Sequence, residues 1–555
     1  MVKQNILFVL FLLGTLNLFA QPKQVLDKEA IAKMIKQHTN DDSPGVAVGI
    51  VQEGKIIYEN YLGYANLEHQ IKIDKNTRFN IASNAKQFTA LCILKLIDEG
   101  KISLNDDVRK YVPEAFKNIE DKITISNLLN HTSGIRDYCD LLALQGKSWW
   151  KQFIDNDDAM ELLQGQKALN FKPSMDYGYS NSNYIVLTEI IKKVTNQDFS
   201  EYAKAMFEQL EMPNTDFITH YGMIIPHKAR PYGNWGRWIE EPTITEVHGD
   251  GALLTSLPDQ LKWEQTLQFN NGELISKKLV NRSQSPMENS FTPDYGYGLM
   301  FDKTNGMDYT FHEGATGAFS AMFIRFPSKK TSIVVMTNNR SVPARYLAWQ
   351  IAFEVLNLES DLYPANPSET EKLSGTKALL GFYKGENDGT IIKITQKEGV
   401  LHREIYQRDP DKLLPVKGGL FEYERIKGLK MNFTNVGKKG QKFTLYRSSQ
   451  KPSTYYKLPN FKADDFDVTA LNGRFYNDET DTEIILKFIE GNTYTLTKNG
   501  RAREAKLIVG DYLRMNSYKI KVLRDKENNI IGLNVQNRRI DNVIFKKTKS
   551  YEKQN

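Results

Sequence analysis

The segment from Phe79 to Gly100 most restricts the fold, because it predicts a helix that is apolar on most of its faces. Such a helix lies inside a protein and not on its surface. Ser83 stands at its start, where we expect the hydroxyl to cap the helix by accepting a hydrogen bond from the first turn. The apolar residues of the segment are Ala85, Phe88, Ala90, Leu91, Cys92, Ile93, Leu94, Leu96 and Ile97.

Lys86 follows Ser83 by three positions, so the two side chains share one face of the predicted helix. An ammonium at the head of a buried helix is poorly solvated, and we expect the pKa of Lys86 to be lowered. A neutral amine can take the serine proton and make Ser83 a nucleophile. The Ser-x-x-Lys pattern alone is weak, because a solvated surface pair is its common origin. It begins at five positions, of which only the first opens an apolar helix: Ser83, Ser148, Ser374, Ser448 and Ser550.

Length and composition indicate a large globular protein. A chain of 555 residues is too long for one core, so two to four domains are expected. Hydrophobic residues make up 40% and charged residues 25%, which is ordinary for a globular protein. The formal net charge is only +6, and no basic run alternates with aromatic residues. These features argue against a nucleic-acid partner.

The first twenty residues read as a secretory signal peptide. Lys3 precedes an apolar run from Ile6 to Leu13, and a small residue, Ala20, stands at the expected cleavage site. The alternative is a membrane anchor, although the run is short for a bilayer span. We therefore expect an exported protein, periplasmic or secreted, that keeps no stable membrane span once the signal is removed. Whether Cys92 and Cys139 pair stays open, and neither has metal-ligand spacing. We expect no metal and no cofactor.

The rest of the chain divides into an α+β part and a β part. A hairpin is predicted at 46–58, helices dominate the middle, and three extended runs lie within 311–336. A polar linker follows at 361–375. Beyond it, Leu380-Gly-Phe-Tyr383 recurs as Leu471-Asn-Gly-Arg-Phe-Tyr476, and each copy opens roughly eight short extended segments. We expect two small antiparallel barrels or meanders in tandem, at 376–460 and 461–555.

Two further motifs follow Ser83-x-x-Lys86 along the chain. Tyr179-Ser-Asn181 precedes an apolar helix, and His312-Glu-Gly314 lies on a predicted strand that continues into Ala315. In this order the motifs resemble those of the penicillin-recognising serine hydrolases, which include class C β-lactamases, D-alanyl-D-alanine carboxypeptidases, D-aminopeptidases and related esterases. The resemblance covers roughly residues 25–356. It implies an α+β catalytic domain, at 21–360, with a five-stranded antiparallel sheet, flanking helices and a helical region.

The resemblance also implies roles for the motif residues. Ser83 would attack a carbonyl and form an acyl-enzyme, with Lys86 and the Tyr179 phenolate sharing the proton transfers. Asn181 would bind the substrate amide and Lys86. The backbone N–H groups of Ser83 and Ala315 would stabilise the oxyanion. His312 and Gly314 would belong to the substrate-binding strand, whereas His131, in a Thr-Ser-Gly turn, is expected to be structural.

Position 312 departs from the β-lactamase pattern, in which lysine stands there. Histidine titrates near neutrality, so we expect weaker recognition of substrates with a free carboxylate, and more so as pH rises. The leading interpretation is a serine hydrolase that cleaves peptide amides or esters. The expected substrate is a small molecule or a peptide, and the cell wall is one expected source of it. The alternatives are a wall-associated penicillin-binding sensor with little turnover, or a weak β-lactamase. The tandem modules resemble lipocalin-like barrels that narrow the cleft of some D-aminopeptidases; a carbohydrate- or wall-binding appendage is the other possibility.

Overall fold

The computed structural model describes residues 26–269, 272–287, 295–358, 376–386, 389–406, 408–416, 420–424, 429–447, 450–459 and 467–548. They form a mixed α+β domain followed by two closed eight-stranded barrels. The predicted signal peptide and the linker at 361–375 lie outside the described residues. Within them, no helix combines the length and the hydropathy needed to cross a bilayer.

The α+β domain is built on a seven-stranded antiparallel sheet in the order β10-β11-β12-β13-β14-β1-β2. The first and last parts of the domain meet in this sheet, because the strand that contains Ile50 pairs with the strand that contains Ile333. The strands are β1 (Val46–Gln52), β2 (Lys55–Leu62), β10 (Tyr295–Gly296), β11 (Leu299–Thr304), β12 (Met307–Thr316), β13 (Phe319–Phe326) and β14 (Thr331–Thr337).

The predicted fold class is confirmed, and its five strands are all present. The sheet is wider than predicted because β10 and β11 extend it at one edge. Sequence reasoning missed these two strands for a physical reason. β10 has only two residues, and β11 reads Leu-Met-Phe-Asp-Lys-Thr, without the alternation that marks a half-buried strand.

Helices cover both faces of the sheet. Val46, Val48 and Ile50 of β1 face a core shared with α1 and α10, whereas Ala47 and Val51 face the larger core around α2. This alternation follows from the period of two in a strand. The helices are α1 (Lys28–Lys36), α2 (Lys86–Asp98), α3 (Ile125–Leu129), α4 (Tyr138–Leu144), α5 (Asn156–Gln164), α6 (Ser182–Thr195), α7 (Phe199–Gln209), α8 (Leu257–Gln268), α9 (Lys277–Ser283) and α10 (Ala344–Leu356).

Short strands connect the helical region to the main sheet. They form small two- and three-stranded sheets, one of which leads directly into the turn that carries Ser83. These strands are β3 (Tyr64–Asn66), β4 (Ile71–Lys72), β5 (Arg78–Asn80), β6 (Asp216–Phe217), β7 (Tyr232–Asn234), β8 (Trp238–Glu240) and β9 (Leu253–Ser256).

The first barrel closes by pairing β15 with β22. Its interior is a single hydrophobic cluster that includes Tyr383, Phe421 and Phe443. Its strands are β15 (Gly381–Gly385), β16 (Ile391–Lys397), β17 (Val400–Glu404), β18 (Asp411–Val416), β19 (Leu420–Tyr423), β20 (Lys430–Thr434), β21 (Lys442–Arg447) and β22 (Gln450–Lys457).

The second barrel closes by pairing β23 with β30. The two copies of the internal repeat are built alike. A Cβ on Gly381 would lie 3.2 Å from Cε of Lys457 in the last strand of the first barrel, and a Cβ on Gly473 would lie 3.2 Å from Cε of Lys547 in the last strand of the second. The strands are β23 (Gly473–Asn477), β24 (Thr482–Glu490), β25 (Thr493–Lys498), β26 (Arg501–Val509), β27 (Tyr512–Met515), β28 (Tyr518–Arg524), β29 (Ile530–Gln536) and β30 (Val543–Lys547).

The second barrel is docked on the α+β domain through α4. Leu141 and Leu144 of this helix are buried in the hydrophobic core of the barrel and not in that of their own domain. Polar contacts surround them: Lys498 Nζ donates to the Ala143 carbonyl at 2.6 Å, and Asn499 Nδ2 to the Leu144 carbonyl at 3.2 Å. Helix α4 therefore closes one end of the barrel and fixes it beside the helical region.

Candidate active site

Ser83 lies in a 3-10 turn, Ala82–Ala85, that leads into α2. The predicted capping role of Ser83 is wrong, because the α-helix begins only at Lys86 and no side chain caps it. The turn is set by its surroundings: Ala82 has a φ of +47°, and its N–H donates to Asn80 Oδ1 at 2.9 Å. Non-glycine residues rarely adopt a positive φ, and such conformations concentrate at functional sites. The hydroxyl of Ser83 lines a cleft of about 620 Å³.

Lys86 is fully buried beside Ser83. Its Nζ donates to Ser83 Oγ at 3.2 Å, to Asn181 Oδ1 at 2.9 Å and to the carbonyl oxygen of Asp250. Three acceptors therefore surround the amine, one for each N–H of an ammonium group. The predicted neighbours Ser83, Lys86 and Asn181 are thus joined by direct hydrogen bonds.

Tyr179 and Asn181 lie in the loop that enters α6, and buried side chains fix this loop. Asp137 Oδ2 accepts from the Asn181 N–H at 2.8 Å, and His131 Nδ1 accepts from the Ser180 N–H at 3.3 Å. The Tyr179 ring lies 4.3 Å from the His131 ring, centroid to centroid. Its centroid is 5.1 Å from Lys86 Nζ. The Tyr179 ring and the Lys86 amine therefore lie close together.

His131 packs against this loop. It is completely buried, and its Nδ1 also lies 2.9 Å from Asn183 Nδ2. Burial, together with the charge of Lys86, lowers its pKa well below the usual value. An imidazole held neutral beneath a tyrosine ring fits the structural role expected from the sequence.

Strand β12 brings Gly314 and Ala315 against the serine turn. A Cβ on Gly314 would stand 2.2 Å from the Ile81 carbonyl oxygen and 3.0 Å from the Ser83 nitrogen. Only glycine permits so close an approach of the two backbones. This approach places the Ser83 nitrogen beside the strand that carries Ala315, and Ser83, Gly314 and Ala315 all line the cleft.

His312 lies on the same strand but is not available as a cation. Its Nδ1 is 2.7 Å from the Glu313 carbonyl oxygen, so Nδ1 carries the proton, and Nε2 accepts from the Tyr295 hydroxyl at 3.2 Å. Burial, and then the charge of Lys86, lowers the pKa of His312 to about 3. The expectation that His312 titrates near neutrality is wrong, because the ring is desolvated and lies near a cation.

Asp250 is buried and contacts Lys86. Its carbonyl oxygen accepts from Lys86, and its carboxylate accepts from the Tyr138 hydroxyl at 3.3 Å. Burial raises the pKa of Asp250 to about 6, although the charge of Lys86 acts in the opposite direction. The lysine is therefore held from two sides, by the loop of Asn181 and by the turn of Asp250.

Sequence reasoning missed Arg539 and Asp137. Arg539 belongs to the loop between β29 and β30 of the second barrel, yet it lines the cleft. Its guanidinium carbon lies 4.7 Å from the Tyr179 ring centroid, and its Nη1 is 3.4 Å from Asp137 Oδ2. No local pattern marks such a residue. Asp137 could have been suspected as a helix N-cap, since its Oδ1 accepts from the Cys139 N–H at 3.0 Å.

The two cysteines are both buried and unpaired. Cys92 lies within α2, where burial raises the pKa of its thiol to about 12. Cys139 lies at the start of α4, where its sulfur is 3.8 Å from Asn181 Nδ2. A disulfide between them is therefore not formed in this structure.

Comparison with known proteins places these observations in a family. The beta-lactamase family profile matches residues 31–356. The chain is 25% identical to a D-aminopeptidase of Brucella canis over 473 residues, 84% of this chain and 85% of that protein. It is 30% identical to protein flp of Staphylococcus aureus over 345 residues, 60% of this chain and 67% of that protein.

Among solved structures, the fold matches an octameric penicillin-binding protein homologue from Pyrococcus abyssi. The TM-score is 0.55 at 22% sequence identity, covering 77% of this chain and 98% of that one. At 22% identity this match shows that the two proteins share a fold. Together with the matched family and the arrangement around Ser83, these findings identify a serine hydrolase, and the chain belongs to the beta-lactamase family.

Proposed function

We propose that the protein hydrolyses amide or ester bonds of small peptide-like substrates through an acyl-enzyme on Ser83. The observation that carries this proposal is the convergence of one hydroxyl, one amine and one phenol: Ser83 Oγ is 3.2 Å from Lys86 Nζ, and Lys86 Nζ is 5.1 Å from the Tyr179 ring centroid. A nucleophile beside an amine and a phenol that can take its proton, with backbone donors nearby, is the arrangement required for acyl transfer.

In the first half of the reaction, Ser83 Oγ attacks the substrate carbonyl carbon and loses its proton to the Lys86–Tyr179 pair. The negative charge that develops on the carbonyl oxygen is stabilised by the N–H groups of Ser83 and Ala315. The C–N or C–O bond then breaks, and the leaving amine or alcohol takes the proton. The acyl group stays on Ser83.

In the second half, water attacks the acyl carbon and gives its proton to the same pair. The bond to Ser83 Oγ breaks, the acid is released and the serine regains its proton. Asn181 holds Lys86 in place throughout, since its Oδ1 lies 2.9 Å from Nζ. Its amide group also lines the cleft, where it can bind a substrate carbonyl.

The D-aminopeptidase relatives favour peptide amides with D-residues as the first substrates to test. Several aromatic residues line the cleft, which suits an apolar substrate side chain: Trp149, Trp150, Tyr177 and Tyr221. His312 is neutral, so the lysine cation of β-lactamases has no equivalent at this position. A peptidase or esterase is therefore favoured over a strong β-lactamase.

The experiment is a panel of D-aminoacyl amides, D-Ala-D-Ala peptides, nitrophenyl esters and a cephalosporin. We expect turnover of amides or esters that falls by at least about 10³-fold in Ser83→Ala. The matched control is Ser148→Ala, which alters a second Ser-x-x-Lys pattern located at a short 3-10 turn. Rapid labelling by a fluorescent penicillin with no turnover of any substrate would instead indicate a sensor.

We also propose that the protein is exported, on the basis of the predicted signal peptide at 1–20. Expression of the full-length chain in its native host, followed by N-terminal sequencing of the mature protein, tests this. A new N-terminus close to Gln21 in the extracellular or periplasmic fraction supports export. An intact Met1 in the cytosol contradicts it.

A further inference from the structure

The second barrel contributes a charged side chain to the immediate surroundings of Tyr179. The loop between β29 and β30 reaches the cleft, and Arg539 packs its guanidinium carbon 4.7 Å from the centroid of the Tyr179 ring. The opposite neighbour is Lys86, whose Nζ is 5.1 Å from the same centroid. One phenol thus lies near two cations, of which one comes from each domain.

Backbone hydrogen bonds anchor this loop to the catalytic domain. The Arg539 N–H donates to Asp140 Oδ2 at 2.9 Å, and the Arg539 carbonyl oxygen accepts from Asn170 Nδ2 at 3.0 Å. The next turn of the loop is fixed as well, because the Asp541 N–H donates to Asn170 Oδ1 at 2.7 Å. The position of Arg539 therefore does not depend on its own side chain.

A further contact comes from the buried side chain of Arg136. Its Nε donates to the Asp541 carbonyl oxygen at 2.9 Å, and it forms an ion pair with Glu479 of the second barrel. Arg136 is completely buried in this interface. Removing one partner of such a pair is strongly destabilising, so the interface has little freedom to slide.

Asp137 connects the arginine to the Tyr-x-Asn segment. Its fully buried carboxylate oxygen Oδ2 accepts from the Asn181 N–H at 2.8 Å and from Arg539 Nη1 at 3.4 Å. Burial lowers the pKa of Arg539, but the charges of Asp137 and of Tyr179 raise it by more, so that it stays above its usual value. Arg539 is therefore a permanent cation at this place.

The histidines and phenols packed around Tyr179 carry no positive charge. His131 and His312 are neutral, because burial holds both pKa values low. The neighbouring phenols Tyr177, Tyr184 and Tyr295 are also neutral, since burial raises their pKa values. The anionic neighbours are carboxylates that already contact cations or donors, namely Asp137, Asp140 and Asp250.

We propose that Arg539 is a positioning residue for Tyr179: the second barrel supplies a cation that fixes the Tyr179 ring in the cleft, so the catalytic site is complete only when this barrel is docked. This inference rests on the proposed function, in which Tyr179 shares the proton transfers. A cation packed against an aromatic ring restricts the orientation of that ring.

The test compares kcat and KM for a neutral ester in the wild type, Arg539→Gln and Arg539→Lys. In Arg539→Gln we expect kcat to fall about 10-fold while KM changes by less than about 2-fold, because Tyr179 takes part in the proton transfers and not in ground-state binding. Arg539→Lys keeps a cation against the ring, so its kcat should stay within about 3-fold of the wild-type value.

The matched control is Arg474→Gln, which removes an exposed arginine–glutamate pair, 2.8 Å long, on the surface of the same barrel. It should leave kcat and KM unchanged. Where Arg539→Gln does not fold, Arg539→Met retains the packing of the stem and serves in its place. The near-ultraviolet circular dichroism of Tyr179, taken as the difference between each protein and its Tyr179→Phe form, should change in Arg539→Gln and not in Arg474→Gln.

A kcat that stays at the wild-type value in Arg539→Gln, or an equal loss of kcat in the Gln and Lys variants, overturns the proposal. Ser83→Ala keeps the two proposals apart. Retained activity in Ser83→Ala defeats the proposed function, whereas an inactive Ser83→Ala with wild-type kcat in Arg539→Gln defeats only the role of Arg539.

Discussion

At the scale of single residues, burial decides what each side chain in the cleft can do. Lys86 and His312 are both buried, but Lys86 is surrounded by three acceptors, whereas His312 donates only to a neighbouring carbonyl oxygen. A residue type alone does not reveal this difference. Burial keeps the His312 ring neutral, because it lowers the pKa of the imidazole.

The first prediction concerns the pH dependence of substrate choice. Because the pKa of His312 is lowered to about 3, the ring stays neutral over the whole working range. The ratio of kcat/KM for carboxylate-bearing and carboxylate-free substrates should therefore vary by less than about 2-fold between about pH 6 and about pH 9. A ratio that falls steeply with a midpoint near about 6.5 would mean that His312 titrates there.

The second prediction concerns acid stability. A histidine whose folded pKa is depressed binds its proton mainly in the unfolded state, so it stabilises the fold above its unfolded pKa of about 6.5 and loses this effect as pH falls towards about 3. Replacing His312 by Gln removes one such group. The decrease in Tm between about pH 7 and about pH 4.5 should be smaller in His312→Gln than in the wild type. Equal decreases would show that His312 does not contribute.

Several of these residues could be predicted from the sequence, and others could not. Ser83, Lys86, Tyr179 and Asn181 stand in short motifs whose spacing carries information. Arg539 does not, since it reaches Tyr179 only because a distant barrel is docked on α4. The error at His312 has a similar origin, because the desolvation that lowers its pKa depends on neighbours from other elements.

At the scale of elements, the site depends on the contact between the serine turn and strand β12. The helix itself was predictable from its apolar faces, but its start was not. The 3-10 turn at Ala82–Ala85 arises from the Asn80 contact and the positive φ of Ala82, and neither is visible in a hydrophobic pattern. Gly314 allows β12 to approach this turn.

The third prediction concerns Gly314→Ala. The added Cβ would stand 2.2 Å from the Ile81 carbonyl oxygen, so β12 must move away from the turn. We expect kcat to fall by about 10²-fold or more, since displacements near 1 Å in a catalytic site have effects of this size. Gly165→Ala is the control, because the nearest atom to its Cβ would be 3.6 Å away. Wild-type kcat in Gly314→Ala would refute the proposed approach of the two backbones.

At the scale of the whole molecule, the two C-terminal barrels differ in their relation to the active site. The second barrel buries Leu141 and Leu144 of α4 in its core and sends Arg539 into the cleft. The first barrel contacts the second, for example through Lys384 Nζ, 5.2 Å from the Tyr512 ring centroid. The tandem repeat was predictable from the recurring Leu-Gly-Phe-Tyr pattern. The docking was not, because it depends on surfaces that no periodic pattern encodes.

The fourth prediction tests this docking. Leu144→Asp places a carboxylate in the core of the second barrel, which is costly without a partner. Hydrogen exchange followed by mass spectrometry should show faster exchange in α4 and in the β29–β30 hairpin. Leu144→Met nearly conserves volume and should leave the exchange unchanged. Exchange in α4 that is the same in Leu144→Asp and the wild type would mean that the helix does not depend on the barrel.

Locating the nucleophile tests the role of Ser83. The full-length enzyme is treated with a fluorophosphonate, which transfers its phosphonyl group to an activated serine and releases fluoride, and the labelled peptide is mapped by mass spectrometry. We expect one phosphonyl group per chain, on Ser83, with labelling lost in Lys86→Ala and unchanged in Ser148→Ala. A phosphonyl group on another residue would contradict the role of Ser83. Retained hydrolytic activity in Ser83→Ala would contradict it as well.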